Sequence, residues 1–289
     1  MITHNLRWVI GVISAVVLVA CANGGDPTIE GPIVDPLPPP AGSSVTLAVL
    51  FIGNSLTYVN DLPATLTGVA AGNGDRIRTE MVAGPRVGLG RHLVAGSEAR
   101  AAIQRGGWDY VVLQTGSTSD SAFNADLVND VRQFDVLARA GGARTALYVT
   151  WASAGGDFCF AGSLAAAAAV NAVLLPTSVA WERTLRQYPS ALLYGPDGAH
   201  PSPAGTYLVA ITIYETLTGH DARTLSDRAV VNGVALNEPL SAVRQLQEAA
   251  HSASSDGVEA GDCGQGADVR QSAARSREGG RQVDGSARR

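Results

Sequence analysis

Two short stretches of this chain carry residue types that can do chemistry together. The run FIGNSLTY (residues 51–58) sets Ser55 directly after an apolar segment, and DGAHPSPAGTYL (residues 197–208) puts Asp197 and His200 on one short polar loop. A hydroxyl, an imidazole and a carboxylate are the parts of nucleophilic acyl transfer, in which His takes the serine proton and Asp orients the His. Each residue also has a plain reading. Ser55 can cap a helix, Asp197 can brace the turn it makes with Gly198, and His200 before Pro201 can be an exposed loop histidine. The joint pattern is harder to explain that way.

Whether the three meet depends on the elements that carry them. Residues 45–52 form a continuous apolar run rich in β-branched side chains, which predicts a strand buried on both faces. A helix is expected over 62–71, with Asn60 or Asp61 as its cap and Gly72 as its stop. Further strands are expected at 77–82, 110–114, 145–151 and 192–194, and further helices at 124–140, 164–173, 180–188, 204–218 and 240–250. Strands alternating with helices imply parallel βαβ units with right-handed crossovers in a three-layer α/β/α sandwich. A central five-stranded parallel sheet of order 2-1-3-4-5, flavodoxin-like, opens its crevice between the carboxyl ends of the first and third strands. Ser55 follows the first strand and QTGSTSD (residues 114–120) the third, while the loop with Asp197 and His200 is expected to follow the fifth on the same edge.

Among the other histidines, His92 is a possible wall of the site, His220 follows a helix end, His251 borders a polar tail and His4 lies in the leader. No G-x-S-x-G elbow, phosphate-binding loop or zincin motif is present. No Cys, His and acidic residues have metal-ligand spacing, so neither a metal nor another cofactor is expected.

Composition narrows the class. With 289 residues and 46% hydrophobic residues the chain can bury a large core, and a net charge of −5 argues against nucleic acid as a partner. Residues 8–19 are an apolar run of signal-peptide length after Arg7, and residues 1–20 are read as a signal peptide. The sequence LVAC (residues 18–21) resembles the lipobox of bacterial lipoproteins, which would make Cys21 a lipidated N-terminus and anchor an exported protein to the cell envelope. The alternative is an ordinary secretory signal, with a secreted or periplasmic product. Residues 21–44, with PLPPP at 36–40, read as a tether of roughly 60 Å when extended. Export permits a disulfide between Cys159 and Cys263. A domain is expected over 45–250, followed by a Ser-, Gly- and Arg-rich tail over 251–289 that lacks the apolar content to order itself.

At FIGNSLTY and DGAHPSPAGTYL the chain resembles the SGNH (GDSL-type) hydrolase superfamily, most closely a bacterial branch with GNSxT and DGxHPSxxGTYL blocks. The resemblance runs from about residue 45 to 219. It implies Ser55 as nucleophile, His200 as general base and then acid, and Asp197 as its orienting carboxylate, with the Ser55 N–H in the oxyanion hole beside Asn54. The family's second block supplies a glycine N–H; here VAGPRVGLGRH (residues 82–92) offers Gly84 or Gly88. In the third block, Gly116-Ser117-Thr118 stands where Gly-x-Asn is usual, so Gln114 or Thr118 would have to replace the Asn donor. Trp151 is expected to line the substrate pocket.

The resulting expectation is a serine esterase acting on small acyl esters, with acetyl groups on carbohydrate as the substrate class the resemblance suggests. Acyl transfer to an envelope glycan, or a binding lipoprotein on the same scaffold, are the rivals. A histidine base requires turnover to fall on acidification through roughly pH 6–7.

Overall fold

A computed structural model of the chain describes residues 43–116, 124–156 and 160–256. Strand β1 (Thr46–Gly53) leads into a single helical turn, α1 (Ser55–Tyr58), and then α2 (Leu62–Gly72). Next come β2 (Arg76–Ala83), the short α3 (Leu89–His92), α4 (Glu98–Arg105) and β3 (Tyr110–Gln114). The second half runs α5 (Asn124–Ala140), β4 (Arg144–Tyr148), α6 (Ala161–Ala168), β5 (Val173–Leu175), α7 (Thr177–Gln187) and α8 (Pro203–Thr218). A two-strand hairpin, β6 (Val230–Val231) with β7 (Val234–Ala235), precedes the last helix, α9 (Leu240–Ser255).

The five main strands pair in parallel in the order β2-β1-β3-β4-β5, as expected. The alternation of β1 explains the layers. Val49 and Phe51 pack with α2, α7, α8 and α9, whereas Leu50 and Ile52 pack with α3, α4, α5 and α6. Helix α8 is buried on nearly every side, which is why its sequence shows no polar face. The chain leaves β1 by a helix on one face and β3 by a helix on the other. The carboxyl ends of β1 and β3 therefore diverge into a crevice, where α/β sheets hold their sites.

Three expectations need correction. The fifth strand is Val173–Leu175; residues 192–194 are irregular, with only a bridge from Tyr194 to Pro201. Asn171, at φ 53°, breaks the alanine-rich helix in the left-handed conformation, which frees the three apolar residues beyond it to pair with β4. The loop with Asp197 and His200 consequently follows α7 instead of a strand. Helix α9 also runs to Ser255, five residues past the expected domain end, because Ala249, Ala250 and Ala253 keep its buried stripe going. The leader, the tether up to residue 42, Cys21, Thr118, Cys159, Cys263 and the tail beyond residue 256 lie outside the described residues. Among the described residues no helix is long and apolar enough to cross a membrane.

Candidate active site

Ser55 is the first residue of α1, half-buried at the carboxyl end of β1. Asn54 caps that turn, its Oδ1 accepting from the Leu56 N–H at 3.1 Å. The turn is tied to the neighbouring strand by Gln114, the last residue of β3. Gln114 Oε1 accepts from the Asn54 N–H (2.9 Å) and from the Thr57 hydroxyl (2.7 Å), while its amide donates to Asn54 Oδ1 (2.9 Å) and to the Thr115 carbonyl (3.0 Å). Backbone partners of both kinds fix which end of the amide is oxygen. This clamp also requires Gly53: a Cβ there would lie 2.6 Å from Gln114 Oε1 and 2.8 Å from Gln114 Cβ.

Asn54 Nδ2 donates to the Val87 carbonyl at 3.3 Å and holds the second-block loop against the turn. In that loop the Gly84 N–H donates to the Gly53 carbonyl at 3.4 Å, so it extends the ladder between β1 and β2. Gly88 is exposed, caps α3, and has open space where a Cβ would sit. His92 is buried and hydrogen-bonds the same Gly53 carbonyl through Nε2 at 2.9 Å. Facing a carbonyl, that nitrogen must carry the proton. His92 thus supports the end of β1 through the Gly53 carbonyl. Gly116 is exposed just past β3. Neither the Ser55 hydroxyl, the Ser55 N–H nor the Gly88 N–H has a hydrogen-bond partner among the described residues.

Asp197 and His200 meet side chain to side chain, His200 Nδ1 with Asp197 Oδ2. The other carboxylate oxygen, Oδ1, accepts the Ala199 and His200 N–H groups, each at 3.0 Å. The His200 hydrogen bond first, and then these two amides, hold the Asp197 carboxyl down at about 2. An ionised carboxylate can only accept, so Nδ1 carries the proton and Nε2 is left as the basic nitrogen. The loop is held by the Gly195 N–H on the His200 carbonyl (2.7 Å) and by the Trp151 indole donating to the Ala199 carbonyl (3.0 Å).

Trp151 was expected to face substrate, but it is only 1% exposed. Its ring stacks on Trp181 at 3.8 Å and 4° beneath the loop. Asn60 joins the two halves of the site: its Nδ2 donates to the Pro201 carbonyl and to Thr206 Oγ1, each at 2.9 Å, from a left-handed backbone at φ 58°. Val59 and Asn60 on one side and Asp197 and His200 on the other wall one groove of about 760 Å³.

The sequence marked Ser55, Asp197 and His200 but missed the supporting roles of Gln114, Asn60, His92 and Gly205. A Cβ on Gly205 would lie 2.3 Å from the Leu193 carbonyl and 2.6 Å from Trp181 Cη2, so the glycine of the GTYL block is there for close approach. The Gly of FIGNS and of AGTY were the available signals, since glycine inside a strand end or a helix marks backbone contact.

Away from this edge, Glu215, Asp221 and His251 bring ligand-type atoms within 4.8 Å of one another. Their spacing of 6 and 30 residues hides them from sequence inspection. His251 Nδ1 lies 2.7 Å from Glu215 Oε1, the Ala222 N–H occupies Glu215 Oε2 at 2.8 Å, and Arg223 forks onto Asp221. The cluster is thus satisfied by its own hydrogen bonds.

No family model and no curated protein matches the chain. Solved structures do. A protein from Slackia heliotrinireducens described as a candidate SGNH hydrolase is 26% identical over 60% of this chain and 99% of its own, with a TM-score of 0.50. A DUF4886 family protein from Bacteroides uniformis is 18% identical over 72% of this chain and 94% of its own, with a TM-score of 0.57. The five-stranded order, the divergent crevice and these likenesses together describe a scaffold like that of the SGNH hydrolases.

Proposed function

We propose that the chain is a serine esterase, with Ser55 as nucleophile, His200 as base and acid, and Asp197 as the group that orients His200. The observation that carries this reading is the Asp197–His200 pair, whose geometry leaves Nε2 basic, on a loop tied through Asn60 to the Ser55 turn. In the first half-reaction His200 Nε2 takes the Ser55 proton as Oγ bonds the acyl carbon. The charge on the carbonyl oxygen is met by the N–H groups of Ser55 and Gly88, neither of which is spent inside the described protein. His200 then hands its proton to the departing alcohol oxygen as the carbon–oxygen bond breaks. Water repeats the sequence on the acyl-enzyme, giving a free acid and restoring the Ser55 hydroxyl.

Gln114 and Gly84 are poor oxyanion donors here, because their N–H groups already serve the Ser55 turn and the sheet. Small acyl esters are the proposed substrates, and the hydrolase-like scaffold supports hydrolysis over transfer. Export and anchoring through an acylated Cys21 belong to the same proposal, and loss of fatty-acid incorporation in Cys21→Ser tests them.

The decisive experiment is incubation with a fluorophosphonate probe. Covalent labelling that disappears in Ser55→Ala supports the esterase. Folded protein that stays unlabelled, and leaves a panel of acetate esters untouched, favours a binding protein on the same scaffold.

A further inference from the structure

The groove beside His200 says something about the alcohol half of the ester, and this step rests on the esterase reading above. We propose that it holds the leaving alcohol and that this alcohol is an uncharged alkyl or aryl alcohol. Asp197 and His200 form part of the groove wall, whereas Ser55 does not. A molecule lying there touches the group that protonates the leaving oxygen, so the groove extends on the alcohol side of the scissile bond. At about 760 Å³ it holds far more than a methanol or ethanol fragment.

The wall chemistry selects the occupant. Val59, Leu192, Tyr194, Pro196, Pro201 and Leu236 supply its apolar surface, and Leu192 is 74% exposed. Most polar groups of the wall are already engaged. Asn60 Nδ2 serves Pro201 and Thr206, the Tyr194 hydroxyl donates to the Ala152 carbonyl at 2.8 Å, and Ser202 Oγ sits between the Leu192 carbonyl and the Gly205 N–H. Asn237 and Glu238 are the polar side chains left without a hydrogen bond among the described residues. A sugar seated here would set the hydroxyls on its wall side against a surface with few free partners, whereas an alkyl or aryl group leaves nothing unpaired there. The carboxylates of Asp197 and Glu238 oppose an anionic alcohol.

The test holds the acyl group constant. Ethyl, butyl, hexyl and 2-phenylethyl acetate and an O-acetylated methyl glucoside are compared as substrates. In parallel, calorimetry measures binding of free 2-phenylethanol and methyl glucoside to Ser55→Ala, which needs no turnover. The expected result is a kcat/KM that rises by at least about tenfold from ethyl to hexyl, with saturable binding of 2-phenylethanol and none of methyl glucoside. Both preferences should collapse in Leu236→Asp and in Leu192→Asp. A flat ester series, or glucoside bound as well as phenylethanol, overturns the groove assignment even if Ser55 labels normally. Phenylethanol binding without Ser55 labelling, conversely, sinks the esterase and keeps the groove.

Discussion

At the scale of single residues, the site depends on which hydrogens are already committed. Asp197 makes three hydrogen bonds within its own loop, and those bonds depress its carboxyl to about 2. A depressed carboxyl contributes fully above its unfolded value, near 4, and loses that contribution only as pH falls toward 2. Any loss of fluorophosphonate labelling on acidification above about pH 4 is therefore not caused by Asp197. Carboxyl-carbon NMR should find the Asp197 midpoint at about 2, and it should climb toward the ordinary range in His200→Ala. Asp197→Asn should lower kcat by about 10²- to 10⁴-fold with little change in KM, since the amide no longer fixes the tautomer. Gln114→Glu should be costly although nearly isosteric: it removes both donated hydrogens and sets a carboxylate against Asn54 Oδ1 and the Thr115 carbonyl. We expect a loss of about 1–3 kcal/mol in denaturant unfolding and slower fluorophosphonate labelling.

At the scale of elements, close approaches decide more than propensities do. Glycine inside a helix normally costs about 0.5–1 kcal/mol against alanine, so Gly205→Ala looks stabilising on α8 alone. The Leu193 carbonyl, 2.3 Å from the new methyl, reverses the sign. Overpacking against that backbone and the Trp181 ring should destabilise by about 1–3 kcal/mol, read as a lower denaturant midpoint. The elements were legible wherever the apolar pattern was long. Residues 45–52 read as a buried strand, and α5 was expected at its observed bounds, because periodicity accumulates over many residues. The fifth strand was misplaced because Val173–Leu175 is three residues long and merges with the alanine run before it. The true break, a left-handed Asn171, carries no apolar signature. Of the site, the reactive types were legible from their spacing, while their supports were not. Gln114 and Asn60 act through partners 60 and 141 or more residues away, and no local pattern records such pairs.

At the scale of the whole molecule, the amino ends of β1 and β2 are also tied together by side chains. Asp75 is buried there, accepting from the Val45 N–H (2.7 Å), the Tyr214 hydroxyl (2.5 Å) and His220 Nδ1 (2.8 Å), while Asn73 donates to the same hydroxyl at 2.6 Å. Burial alone would push the Asp75 carboxyl up; the hydrogen bonds from Tyr214, Val45 and His220 outweigh it and leave the carboxyl below its ordinary value. This staple connects β1, β2, the end of α2 and α8. Its stabilisation is present above about pH 4 and fades as pH falls below that. Tyr214→Phe should cost about 1–3 kcal/mol at neutral pH and move the acid-unfolding midpoint upward, as followed by far-ultraviolet circular dichroism. At the opposite edge, the amide clamp from β3 to the Ser55 turn makes Gly53, Asn54, Thr57 and Gln114 a single mechanical part drawn from two distant stretches of chain. Anyone transplanting a foreign loop at this position into the scaffold must import all four positions together, because a donor sequence matched only in its local loop would arrive without the side chain that holds it in register.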